Sequence, residues 1–364
     1  MQSVRIPGHA DTIGEIISPL LTWYKGQAQT RQLPWREEPT PYHTWLSEIM
    51  LQQTRATAVI PYYHRFLATF PDIAALAAAD DEVLMKCWQG LGYYSRARNL
   101  KKAAQVIMNE YQGELPSTQK QLMALPGIGR YTANAIASIA FGLPLPAVDG
   151  NVLRVIARVI TCRDDIMAAR TRTAFEQLLL PHYPTGKDAG ALNQAFMDLG
   201  ATICLPHGAP HCSRCPLASL CLANETGTQQ EFPQKAAAKA KKVEDRTILL
   251  LQQGSCIALH KRPNRGLLAG LWEFPNLTGQ LDLSNVKDYL RKHQLTAVKI
   301  EKLPAAKHIF THVTWQLTGW KIQLDTAGLT AAEARDQFIW ATPEEIAGKY
   351  SIPAAFAHYI SYIK

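Results

Sequence analysis

Four of the seven cysteines, Cys204, Cys212, Cys215 and Cys221, fall in one short stretch. A disulfide framework would spread them along the chain, whereas crowding of this kind suits metal ligation. Cys212-Ser213-Arg214-Cys215 is a two-residue loop, short enough to bring two thiolates to one centre. Spacing alone suits either an iron–sulfur cluster or a structural zinc. Cys87, Cys162 and Cys256 are scattered and read as small buried hydrophobes. A second chemical signal is Leu125-Pro126-Gly127-Ile128-Gly129-Arg130-Tyr131-Thr132-Ala133. Gly127 and Gly129 can take backbone angles closed to other residues, and their N–H groups can approach a ligand closely. The helix that follows points its positive end the same way, so the turn suits a DNA backbone phosphate. The plainer alternative is a tight helix–helix turn.

Two carboxylates complete the set. Glu48 stands in Trp45-Leu46-Ser47-Glu48-Ile49-Met50-Leu51-Gln52-Gln53-Thr54, beside Ile49 and one turn from Trp45. That places it on the edge of an amphipathic face, where burial would raise its pKa and keep a proton near neutral pH. The competing reading is a solvated helix face. Asp149, in Val148-Asp149-Gly150-Asn151-Val152, reads as a helix N-cap.

The elements that must position these groups are helical through about residue 223. Ile13 to Tyr24 is amphipathic. Trp45 to Ile60 reads as one helix stopped by Pro61, and Ser95 opens another that runs to about Tyr111. Further helices are expected from Ser117 to the glycine turn, from Arg130 to Phe141, and from Asn151 to Thr161. Thr226 to Lys242 is polar, with Lys235, Lys239, Lys241 and Lys242, and reads as a linker that is solvated or touches DNA phosphate. Beyond it the period changes. Thr247–Leu251 and Cys256–Leu259 flank a hairpin signal, Val298–Leu303 and Val313–Leu324 alternate like strands, and Ser284–His293 and Pro343–Lys349 look helical. The fold class expected is therefore multidomain, an all-α part followed by a separate α+β domain.

The 364 residues exceed one ordinary core, and the net charge of +8 fits a polyanionic partner. No segment approaches the roughly 20 apolar residues of a membrane helix, and the N-terminal residues lack a signal-peptide core. The expectation is a cytoplasmic chain with no membrane association.

Together the motifs resemble the endonuclease III superfamily of helix–hairpin–helix DNA glycosylases, over about Leu33 to Cys221. Bifunctional lyases of that superfamily carry a lysine in the hairpin motif where this chain has Tyr131, whose phenol cannot form a Schiff base. The string around Glu48 resembles the adenine DNA glycosylase family. The resemblance implies that Glu48 protonates adenine, that Asp149 stabilises the oxocarbenium-like sugar, and that Tyr131 and Asn151 orient them. It implies a flipped base, with Trp35 lining the adenine pocket and Leu33-Pro34-Trp35-Arg36 matching the family. Leu51, Gln53 and Tyr93 match residues that wedge into the duplex. The four cysteines match the ligands of a [4Fe–4S] cluster, although seven residues, Leu205 to His211, separate the first two, one more than the family pattern has.

Gly270-Leu271-Trp272-Glu273-Phe274-Pro275 resembles the strand before a Nudix box, but Asn276 to Tyr289 offers only Asp282 and Asp288, without the glutamate set of a pyrophosphatase. Phe310-Thr311-His312 resembles the family's Phe-Ser-His loop, which implies that Thr311 and His312 read 8-oxoguanine; threonine keeps the hydroxyl and adds a methyl. The expected organisation is a helical glycosylase over 1–225, a linker over 226–243 and a Nudix-like reader over 244–364. Within the first, 30–137 would form a six-helix barrel and 1–29 with 138–225 the cluster domain. The expected activity is monofunctional removal of adenine opposite 8-oxoguanine or guanine in double-stranded DNA, by a monomer. The rivals are a bifunctional lyase, a non-catalytic damage sensor and an active Nudix hydrolase.

Overall fold

The computed structural model describes residues 10–27, 31–237, 240–325 and 338–363. Residues 1–9 and Lys239 of the basic run lie outside them. The chain divides into two compact units, one of Met1–Ala78 with Arg98–Ala238 and one of Ala79–Ala97 with Lys239–Lys364. No helix among the described residues is long and apolar enough to cross a membrane.

The first half runs α1 (Ala10–Gln27), α2 (Pro34–Glu37), α3 (Pro41–Leu51), α4 (Ala56–Thr69), α5 (Ile73–Ala77), α6 (Asp81–Trp88), α7 (Ser95–Glu110) and α8 (Gln119–Ala124). It continues with α9 (Arg130–Phe141), α10 (Gly150–Val159), α11 (Ala169–Leu179), α12 (Lys187–Thr202) and α13 (Leu222–Glu225). Local sequence sets several starts. Thr40, Asp72, Asp80, Thr118 and Asp149 each cap a helix by accepting a backbone N–H. Pro41 takes the first turn of α3, where a missing N–H costs nothing.

One expected helix is divided. The chain does not stay helical from Trp45 to Ile60. It leaves the helix at Leu51, turns through Gln53 at φ 56°, and restarts at Ala56 with Pro61 inside α4. Pro61 is exposed, as is Thr57, whose carbonyl its missing N–H leaves open on the solvent side of the helix.

In the helical unit a core forms where α1, α10, α11 and α12 meet, through Ile16, Leu20, Val152, Ile156, Phe175 and Phe196 among others. α12 packs closely because it carries glycines. A Cβ at Gly190 would stand 2.8 Å from Ile139 Cα, and one at Gly200 would stand 2.5 Å from Asn151 Cβ.

The other unit is built on β1 (Lys242–Gln253), β2 (Cys256–Lys261), β3 (Trp272–Glu273), β4 (Asn276–Thr278), α14 (Leu283–Lys292), β5 (Ala297–Ile309), β6 (Val313–Leu324), β7 (Ile339–Ala341), α15 (Pro343–Gly348) and α16 (Ala357–Ile360). The strand order is β3-β2-β1-β6-β5, with β4 paired to β1 and β7 to β2. β1 and β6 are parallel and the other pairs antiparallel. β1 is apolar on both faces, as a central strand between layers must be. Ile248 and Leu250 join a core with Ile346 and Tyr359, and Leu249 and Leu251 join one with Val286 and Leu290 of α14. Residues 79–97 belong to this unit: Glu82 accepts from Trp272 Nε1 at 2.9 Å and pairs with Lys261, and Lys86 Nζ donates to Tyr350 O at 3.1 Å.

Candidate functional site

Three helices bring the expected catalytic groups to one cavity of about 410 Å³ in the helical unit. α3 supplies Glu48 and Leu51, the first turn of α9 supplies Tyr131, and the start of α10 supplies Asp149 and Asn151, while Trp35 and Arg36 come from α2. Glu48 is only 5% exposed, and Tyr131 donates its phenolic hydrogen to Glu48 Oε2 at 3.1 Å. Burial pushes the Glu48 carboxyl up to about 7; Asp149 adds to the rise, and the Tyr131 bond and Arg36 oppose it.

Asp149 holds its place through its own helix end. Oδ1 accepts the backbone N–H groups of Asn151 and Val152, both at 2.8 Å, and Oδ2 accepts Asn151 Nδ2 at 2.7 Å. Burial raises its pKa, and these bonds, with the nearby Arg154 charge, pull the other way. Arg154 then locks Asn151: Nη2 donates to Asn151 Oδ1 at 2.9 Å and to Gly200 O at 2.7 Å, and Nε donates to Cys204 O at 2.8 Å. One guanidinium thus joins the carboxylate's partner to the first cysteine of the cluster motif, a link the sequence did not suggest.

Another unforeseen group is Asp198 of α12, 6% exposed, which pairs with Arg31 and takes both Nη atoms of Arg36, at 2.8 and 3.0 Å. The pair fixes Arg36 on the cavity wall beside Trp35, whose ring meets Tyr63 edge-on at 5.5 Å.

Of the expected duplex-wedge residues, Leu51 lines the cavity and Gln53 does not. Gln53 and Tyr93 share a different signature: both are non-glycine residues with left-handed backbone, at φ 56° and 47°. Tyr93 is 44% exposed and lies in the other unit. There its hydroxyl meets Thr311 Oγ1 at 2.8 Å, in the turn between β5 and β6 that also carries His312. Lys242 N donates to His312 O at 3.3 Å and Lys241 Nζ to Phe310 O at 2.9 Å, so the end of the expected linker is tied to this turn and residues 242–243 already form β1.

The hairpin differs in one respect from the expectation. Gly127 has φ 81°, and a Cβ there would meet Asn99 Cβ at 2.7 Å. Gly129 has φ −87°, an ordinary angle, and caps α9, where a Cβ would meet no described residue within 4 Å. Its use is open space at a helix N-terminus rather than unusual backbone.

Cys204, Cys212, Cys215 and Cys221 line a common cavity with Arg158 and Leu217. Arg158 Nη1 stands 3.2 Å from Cys204 Sγ, and burial pushes the Cys215 thiol up to about 12, with the other three cysteines adding to the rise. Among the described residues no group of three or more His, Cys, Asp or Glu is placed to hold a metal ion, although the four cysteines line one cavity. In the sheet unit, Asp282 caps α14 and Asp288 pairs with Arg291, so both are engaged in holding the helix.

Residues 46–181 match the HhH-GPD superfamily base excision DNA repair proteins, and residues 246–362 match the NUDIX domain. A solved thymine-DNA glycosylase superposes with a TM-score of 0.52 at 29% identity, over 60% of this chain and all of that one. A non-covalent endonuclease III–DNA complex gives 0.50 at 26% identity, over 60% and 98%. Fold and site therefore define a helix–hairpin–helix base-excision DNA glycosylase with an added NUDIX domain. Adenine DNA glycosylase of Homo sapiens is 35% identical over 90% of this chain and 70% of its own length. That of Buchnera aphidicola is 36% identical over 81% of this chain and 82% of its own. The chain belongs to the adenine DNA glycosylases, hydrolases that act on N-glycosyl bonds.

Proposed function

We propose that the enzyme is monofunctional and that it hydrolyses the bond to adenine paired with 8-oxoguanine or guanine in a duplex. The observation that carries this is the buried Glu48, pushed up to about 7 and bonded to Tyr131, in one cavity with Asp149. Adenine leaves poorly unless a ring nitrogen is protonated, and a carboxylic acid poised near neutral pH can supply that proton. Asp149 opposes the positive charge that develops on the sugar, and Asn151 keeps its oxygens aimed. Tyr131 holds Glu48 and offers no amine for a Schiff base.

The base must leave the stack to reach a cavity walled by Trp35 and Arg36. Gln53, Leu51 and Tyr93 fill the duplex, Gly127 and Gly129 hold a phosphate, and Thr311 with His312 reads the oxidised guanine. In the cysteine cavity the four thiols would hold a [4Fe–4S] cluster. Four cysteines lining one cavity are the donor set such a cluster would take, and Arg158 would offset negative charge there. When bound, the cluster supplies structural cross-linking of the loop that Arg154 ties to Asn151. The enzyme acts as a monomer in the cytoplasm.

Single-turnover assays on a duplex with one adenine opposite 8-oxoguanine, developed with and without hot alkali, test the reading. Breaks only after alkali are expected. Breaks without alkali would restore the lyase, and none in either lane, from folded cluster-loaded protein, would leave a damage sensor.

A further inference from the structure

Thr44 lies one turn before Glu48 on α3, so the two side chains share a helix face, and both line the cavity. Thr44 is 3% exposed, and its Oγ1 has no hydrogen-bond partner among the described residues. A threonine within a helix ordinarily returns its hydroxyl to the carbonyl four residues back. Here Thr40 O takes the Thr44 backbone N–H at 2.9 Å, and Thr44 O is used by Ser47 Oγ at 3.0 Å. The hydroxyl is thus buried at a cost that a valine of the same shape would avoid. Among the described residues of this unit, the other buried side-chain polar atoms without a partner, Trp45 Nε1 and Tyr63 OH, belong to residues outside the cavity lining. Thr44 alone of the three stands where a ligand would come.

We propose that Thr44 is a substrate-contact residue, whose hydroxyl bonds the edge of the purine base held in the cavity. The inference rests on the glycosylase reading above. Threonine in a helix divides between two χ1 rotamers, so the hydroxyl can turn to the cavity when a partner arrives. A purine edge offers ring nitrogens that accept and, in adenine, an amine that donates; a hydroxyl serves either. A site group unpaired without its ligand and paired with it discriminates in favour of the ligand that completes the bond.

The test compares Thr44→Val and Thr44→Ser in the full-length, cluster-loaded protein, with Glu48→Gln beside them. Single-turnover base release and thermal melting are measured for each. Thr44→Val keeps the shape and loses the hydroxyl. It should slow release by about 3- to 30-fold while melting at the same temperature or higher. Thr44→Ser keeps the hydroxyl and should stay within about twofold of the wild type. Release by Thr44→Val at the wild-type rate overturns the proposal, and so does an equal loss in both variants, which would make the lost methyl packing the cause. Glu48→Gln separates the two levels of inference. If that variant keeps full activity, the reading of the whole site fails; if it is inactive while Thr44→Val is unimpaired, only the Thr44 assignment falls.

Discussion

At the scale of single residues, Glu48, the proposed acid, should set the pH behaviour. The acid must carry its proton to act, and burial pushes its carboxyl up to about 7. Base release under single-turnover conditions should therefore fall as pH rises above about 7 and level off on the acid side. An unchanged rate up to pH ~9 would remove Glu48 as the proton donor. Glu48→Gln should bind duplex normally and release adenine at least ~100-fold more slowly. The same shift acts on stability. Folding favours the protonated form, so this group's contribution is complete below its ordinary value of 4.5 and is lost as pH rises through about 7. Glutamine does not titrate. Relative to the wild type, Glu48→Gln should gain stability between pH ~5 and ~8, by on the order of 3 kcal/mol. Melting both proteins at the two pH values checks the sign; a relative loss on the alkaline side would contradict it.

At the scale of elements, the site depends on how closely α12 approaches α9 and α10. Both approaches use glycine, with different consequences. A Cβ at Gly200 would press on Asn151, standing 2.5 Å from its Cβ and 2.8 Å from its Oδ1. Asn151 is the residue that holds Asp149 Oδ2 and receives Arg154. Gly200→Ala should slow base release by about 10- to 100-fold, a loss of alignment more than of binding. At Gly190 the obstacle is the backbone of Ile139, at 2.8 Å. Gly190→Ala should cost about 1–3 kcal/mol of stability, with a smaller effect on the chemical step. Rates and melting temperatures of the two variants, measured side by side, would show opposite rankings. The same ranking in both assays would mean that α12 acts on the site only through overall stability.

At the scale of the whole molecule, the proposed catalytic and reading residues fall in different units, and the division between units does not follow the chain. Tyr93 sits in residues 79–97, grouped with the sheet unit, where its hydroxyl meets Thr311. If Thr311 reads the oxidised guanine as proposed, Thr311→Val should narrow the ratio of efficiencies opposite 8-oxoguanine and guanine by about 3- to 30-fold. The rate with saturating enzyme on the favoured pair should hardly change, since Glu48 and Asp149 lie in the helical unit. The measurement is the ratio of single-turnover efficiencies on the two mispairs; an equal loss on both would place Thr311 outside discrimination. With a net charge of +8, binding to either duplex should weaken steeply with added salt.

Much of the site was legible in the sequence because its signals are local. The hairpin string, the N-cap at Asp149, the tyrosine where a lyase has lysine and the crowded cysteines each need only a few neighbouring residues to be read. Strand periods beyond Lys242 were legible for the same reason, since alternation is a property of the strand itself. The tertiary structure decided what depends on distant partners. Pro61 fits inside α4 because its face is exposed, and Gly129 keeps ordinary backbone because α9 begins there. Arg36 is fixed by Asp198, and Arg154 joins Asn151 to Cys204, through contacts between residues far apart in the chain. The raised pKa of Glu48 and the unpartnered hydroxyl of Thr44 are likewise products of packing. A sequence names the carboxyl and the hydroxyl, but how far each is removed from water, and what remains to bond it, is settled only when α3 meets the helices from the rest of the chain.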